Sequence, residues 1–154
     1  MVQTACFRRA RCLTSEKSAL AEKVEQRDPV WIVPYLWRYE VQNILAKAIW
    51  VKQLSPEAAA EVWRQVVDVM RDNETDPSPE KVIELAGRYR ITAYDATYVA
   101  LAMDMSVLCV TENRELQEKF PRLAISMKAF VNPGNAKSLV RESRAGYRAR
   151  RARR

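Results

Sequence analysis

Apolar residues recur along this chain with two periods, one helical and one extended. Between Thr14 and about Gln26, Ala19, Leu20 and Val24 form a helical stripe behind a Thr14 or Ser15 cap. Asp28-Pro29 marks a turn, and Trp31-Ile-Val33 reads as a short buried strand. Pro34 suits the first position of a long helix with an apolar face of Leu36, Val41, Ile44, Leu45, Ala48 and Ile49. Ser55-Pro56-Glu57 joins a cap, a proline and an acidic first turn, and predicts a helix to about Asp72. Val62, Val66 and Val69 line one side of it, with Trp63 beside them. Asn73 to Pro77 is a polar break, after which Ser78-Pro79-Glu80 opens a helix ending near Gly87. Ile91-Thr92 leads into a helix from Ala93 to about Met105. Ser106 to Thr111 is a continuous apolar run with a β-branched bias, as expected of a parallel strand covered on both faces. A short helix from Glu112 to Lys119 and a strand at Leu123-Ala-Ile125 follow, while Met127 to Val131 is ambiguous. From Asn132 the chain is rich in Asn, Pro, Gly, Ser and Arg and reads as disordered. Strands alternating with helices predict an α/β domain with a parallel sheet, whose sites gather at strand C-terminal ends and the helix starts after them.

Composition narrows the chemistry. The 154 residues suffice for one domain with a real core. No stretch approaches the roughly 18 apolar residues of a membrane helix. Arg8, Arg9 and Arg11 break up the start, so no secretory signal is expected and the cytoplasm is the expected location. There is no histidine, which excludes a catalytic triad and a Cys/His zinc site. The 3 cysteines, Cys6, Cys12 and Cys109, have unrelated spacings and argue against a disulfide framework, and Cys109 reads as a small core residue. With only 3 glycines there is no phosphate-binding loop or dinucleotide fingerprint. Any chemistry therefore falls to carboxylates with a hard metal. The net charge of +7 lies wholly in Lys137–Arg154, leaving 1–136 neutral, so the charge says nothing about the folded part.

Three places put a carboxylate or amide near a helix start. Glu40 lies in the second turn of the helix expected from Pro34, Asp95 in the first turn after Ile91, and Glu112-Asn113 just beyond the strand ending at Val110-Thr111. If the strands are parallel neighbours, these groups converge on one edge. Oxygen ligands of that kind suit Mg²⁺ or Mn²⁺, which acidify water and stabilise charge developing on a phosphodiester. Each residue also has a plain structural reading. Thr92-x-x-Asp95 fits a capping box, Glu40 an ordinary helix surface beside a buried stripe, and Glu112 a favourable partner of the helix dipole.

Three segments add a resemblance. Ile91-Thr-Ala-Tyr-Asp-Ala-Thr-Tyr-Val-Ala-Leu-Ala102 is similar to the pattern (S/T)AYDAxYxALA. Val107-Leu-Cys-Val-Thr-Glu-Asn-Arg114 is similar to xLVTxDxxL, and Val33 to Leu45 to xPxLxxxExxNxL. In their order along the chain they resemble the PIN domain family, in particular VapC-like toxins of bacterial toxin–antitoxin systems, from about Thr14 to Phe130. The resemblance implies a three-layer α/β/α fold with a central parallel sheet. It also implies Mg²⁺- or Mn²⁺-dependent cleavage of single-stranded RNA, a homodimer and an antitoxin partner. By matched position, Glu40 and Asp95 would be catalytic and metal-binding. Asn113, where the family usually has an aspartate, would join the metal, with Glu112 compensating if the turn re-aims it. Thr111 would orient the site.

Two departures from the pattern stand out. Family members open with an aspartate-bearing strand, whereas residues 1–13 hold no Asp or Glu, so the first strand is expected to be missing or degenerate. Val2 to Phe7 can form a strand but brings no carboxylate. Asn113 removes a second charge, and both losses should weaken metal affinity. The rival reading is an impaired PIN-fold remnant that binds antitoxin or RNA without cutting. The expected division is an atypical segment 1–13, a domain 14–131 and a basic tail 132–154. The first segment is read as a miscalled start or frameshift and the Arg-rich end as read-through, which upstream DNA in three frames would test. In the tail, Arg148, Arg150, Arg151, Arg153 and Arg154 are either a nucleic-acid-binding arm or solvated charge.

Overall fold

The computed structural model describes residues 2–3 and 18–132. The expected features of 4–13 and of the basic tail lie outside them, as does the start of the first helix. The described chain is a mostly helical α/β protein with a small parallel sheet. Its elements are β1 (Val2–Gln3), α1 (Ser18–Arg27), α2 (Trp37–Trp50), α3 (Pro56–Met70), a 3-10 turn (Arg71–Asn73), α4 (Pro79–Tyr89), α5 (Ala93–Met105), β2 (Cys109–Val110), α6 (Arg114–Lys119), β3 (Ala124–Ile125) and α7 (Met127–Val131). The sheet runs β1-β2-β3, with both pairings parallel. Val2 stands opposite Cys109 and Gln3 opposite Val110, while Cys109 and Val110 face Ala124 and Ile125. A first strand is thus present, and its described residues, Val2–Gln3, carry no carboxylate.

Alternation along the strands distributes two cores. Leu108 and Val110 join Trp31, Val33, Trp37, Val41 and Phe130 in one buried cluster. Val107 and Cys109 join Ile32, Tyr98, Leu101, Leu116 and Ala124 in another. Neighbouring strand residues point to opposite faces, so one run fills both cores. In α5, Ala96 and Tyr98 to Ala102 are all buried, as expected of a helix enclosed by α4, β1 and β2. Among the described residues no helix is long and apolar enough to cross a membrane.

Several elements differ from the sequence expectation. Among the described residues Trp31 to Val33 forms bridges at Ile32 and Val33 rather than a strand; Val33 pairs with Glu74, its N–H donating to Asn73 O at 3.1 Å and Thr75 N–H donating to its carbonyl at 3.0 Å. Its partner lies in the segment read as a polar break. Helix α2 begins at Trp37 rather than Pro34. The N–H of Tyr35 is taken by Asp76 Oδ1 at 2.9 Å, and the bonds from Trp37, Arg38 and Tyr39 reach back only three residues. Gly87 does not end α4. Tyr89 packs on Phe120 at 4.6 Å between ring centroids, which holds one more half-turn in place. Arg90 then takes the left-handed conformation at φ 51°, and Lys119 Nζ donates to the carbonyls of Tyr89 and Arg90 at 2.7 and 3.2 Å. Such a cation at a helix C-terminus satisfies carbonyls that the helix leaves open. The strand read from Ser106 to Thr111 contracts to Cys109–Val110 because Ser106 is spent as the left-handed cap of α5. The ambiguous Met127–Val131 is a helix capped by Ser126.

Candidate functional site

The C-terminal end of β2 and the N-terminus of α5 meet at Asp95. Thr92 caps α5: its Oγ1 accepts from Asp95 N–H at 3.1 Å and donates to Asp95 Oδ2 at 2.9 Å. The capping reading of Thr92-x-x-Asp95 is therefore physically present, and it fixes the carboxylate at the helix start. Asn113 Nδ2 donates to Asp95 Oδ1 across a long 3.4 Å. Asp95 also lies close enough to Cys109 on β2 for its charge to act there. Burial pushes the Cys109 thiol up to about 12, with the Asp95 charge adding to the shift.

Glu40 comes to the same helix by another route. It sits in the first turn of α2 and accepts a hydrogen bond at Oε2 from the Tyr98 hydroxyl. Tyr98 is three residues past Asp95, and side chains three apart share a helix face, roughly 5–6 Å apart at Cβ. Tyr98 thus ties Glu40 to the face of α5 that carries Asp95. The sequence reading passed over Tyr98; its spacing from Asp95 was the available signal.

The loop after β2 is organised by its own polar groups. Thr111 is buried, and its Oγ1 accepts from Asn113 N–H at 3.1 Å while its carbonyl accepts from Gln117 Nε2 at 2.9 Å. Thr111 therefore shapes the turn that presents Asn113. The Asn113 side chain caps α6, with Oδ1 accepting from Glu115 N–H at 3.0 Å and Leu116 N–H at 3.4 Å. Its oxygen is engaged by backbone and its amino group faces Asp95. Glu112 Oε1 accepts from Met127 N–H at 3.0 Å, at the start of α7.

Among the described residues no three His, Cys, Asp or Glu side chains gather closely enough to hold a metal ion. Mg²⁺ is commonly held by one or two carboxylates, with water and phosphate oxygens completing the set. Glu40 and Asp95 are donors of that type on one side of α5, so their chemistry fits a two-carboxylate site. Asn113 offers a donor where such a site needs an acceptor, and the contacted oxygen of Glu112 is directed to α7.

No protein-family model matches the chain, and no curated protein matches it. Among solved structures it is similar to the crystal structure of PAE2754 from Pyrobaculum aerophilum, at 23% identity over 84% of this chain and 92% of that chain, with a TM-score of 0.67. At that identity the likeness speaks for the fold alone.

Proposed function

We propose that the chain is a PIN-type, VapC-like domain that acts on single-stranded RNA as a metal-dependent endoribonuclease. The observation that carries this reading is the Tyr98–Glu40 hydrogen bond, which brings a second carboxylate to the Asp95 face of α5. The three-layer α/β/α arrangement belongs to the same reading, supported by strand residues that alternate between two cores. Glu40 and Asp95 would hold Mg²⁺ or Mn²⁺, which when bound stabilises charge on a phosphodiester and acidifies the attacking water. The chain's own residues do the positioning. Thr92 and Asn113 orient Asp95, Tyr98 orients Glu40, and Thr111 sets the loop that carries Asn113. A homodimer, a protein antitoxin and a cytoplasmic setting belong to the same proposal.

A second reading is favoured by one observation. The Asn113 amino group already donates to Asp95, so a remnant that binds RNA or antitoxin without cutting needs no ion there. Cleavage of single-stranded RNA with and without Mg²⁺ separates the two. The nuclease reading expects Mg²⁺-dependent cleavage that Asp95→Asn lowers by several powers of ten, and each factor of ten is about 1.36 kcal/mol of barrier. No cleavage by the parent would support the remnant, and an Asp95→Asn variant as active as the parent would remove Asp95 from the site.

A further inference from the structure

Each carboxylate is preceded in sequence by an exposed tyrosine. Tyr94, immediately before Asp95, is 67% exposed, and Tyr39, immediately before Glu40, is 71% exposed. Tyr94 is four residues before Tyr98, so it lies one turn above it on the α5 face that receives Glu40. The lower ring is only 2% exposed and holds a carboxylate, whereas the upper one is left to solvent. Exposing a large amphipathic ring on the rim of a polar site leaves apolar area in water that a flat partner can cover. On the β2 side the exposed Arg114 follows Asn113, whose amide contacts Asp95. With a divalent cation on the carboxylates, as the proposed function has it, an arginine and an open aromatic face match one chemistry, a phosphodiester strand with its bases unstacked. A paired base keeps its faces in the duplex and has none to offer such a ring.

We propose that Tyr94 is a stacking platform for an unpaired nucleobase next to the phosphodiester at Asp95. This rests on the reading of Glu40 and Asp95 as an RNA site and names how that site selects single strands. The ring holds a base by its face, which is tolerant of sequence, while Arg114 meets the backbone phosphate.

The test is equilibrium binding of a labelled single-stranded oligouridylate to the full chain, with Ca²⁺ in place of Mg²⁺ to slow cleavage. Inorganic polyphosphate serves as the base-free probe. Tyr94→Ala should weaken oligouridylate binding roughly 5- to 100-fold, the loss typical of one base–aromatic stack. It should leave polyphosphate binding unchanged, Tyr94→Phe should restore the affinity, and Tyr94→Leu should not. If the parent binds oligouridylate and Tyr94→Ala or Tyr94→Leu binds it equally well, stacking is overturned while the RNA site stands. If the parent binds no oligouridylate, the RNA reading of the site fails and the platform with it.

Discussion

At the residue scale, Asn113 is where the chain departs most tellingly from the pattern it resembles. Its amide does two jobs, capping α6 with its oxygen and donating to Asp95 with its nitrogen. Asn113→Asp should keep the cap, since Asn and Asp serve equally at that position. It should also set a carboxylate against Asp95. The expected cost without cation lies between about 1 and 4 kcal/mol, the values for unit charges about 4 Å apart in bulk water and near a protein surface. Mn²⁺ should recover that loss. Thermal unfolding in EDTA and in Mn²⁺ would measure both, and a variant that responds to the ion no more than the parent would show that positions 95 and 113 cannot share a cation. Cys109 makes a second prediction from the same strand. Its thiol is raised from an ordinary 9.0 to about 12 by burial and by the Asp95 charge. The folded state therefore holds this proton more tightly than the unfolded state. The stability so gained is complete below pH 9 and is lost as pH rises towards 12. In native protein at pH 8, iodoacetamide should leave Cys109 unmodified, and only unfolding should expose it to the reagent. Peptide mapping distinguishes it from Cys6 and Cys12.

At the scale of elements, the serine-capped starts were legible and the end of α4 was not. Ser55 and Ser78 cap α3 and α4 as read, with Ala58 N–H and Lys81 N–H each donating to the serine hydroxyl at 3.2 Å. A cap is local chemistry, visible in four consecutive residues. The end of α4 depends instead on Phe120 and Lys119, some thirty residues away, and no local pattern announces them. The bridge at Glu74 is similar. Glu74 lies in a polar stretch, yet its side chain is nearly buried, accepting from Trp37 Nε1 at 2.6 Å and from Arg38 Nε and NH2 at 2.7 and 2.9 Å. Those bonds hold the Arg38 guanidinium above its ordinary value. Helix α7 was ambiguous for a physical reason, since five residues are too few to form a helix alone. Tertiary anchors make it: the Ser126 cap, Glu112 on Met127 N–H, Arg27 NH1 donating to Val131 O at 3.0 Å, and the fully buried Phe130. Phe130→Ala should therefore cost about 3–5 kcal/mol in denaturant unfolding. A loss below about 1 kcal/mol would mean that α7 contributes little to the first core.

At the scale of the whole molecule, the net charge is confined to one end of the sequence. The site was legible as a set of oxygen-bearing residues because motif spacing is a one-dimensional property. What holds Glu40 was not, because Tyr98 meets it across 58 residues of sequence. The charge asymmetry, by contrast, needs no structure to read. Residues 1–136 carry no net charge, and Lys137–Arg154 carry all of it. Deleting 137–154 should then remove the chain's entire net charge of +7. Long-range attraction to a polyanion scales with such net charge. For single-stranded nucleic acid the logarithm of affinity falls with the logarithm of salt by about 0.7 per phosphate neutralised. RNA affinity measured across a salt series should accordingly lose most of its slope on deletion if the tail is a binding arm. The base-stacking contribution of Tyr94 should survive, because a neutral ring on a base releases no counterions. A slope that deletion leaves unchanged would assign the RNA contacts to Arg114 and its neighbours on the folded domain, with the tail as solvated charge.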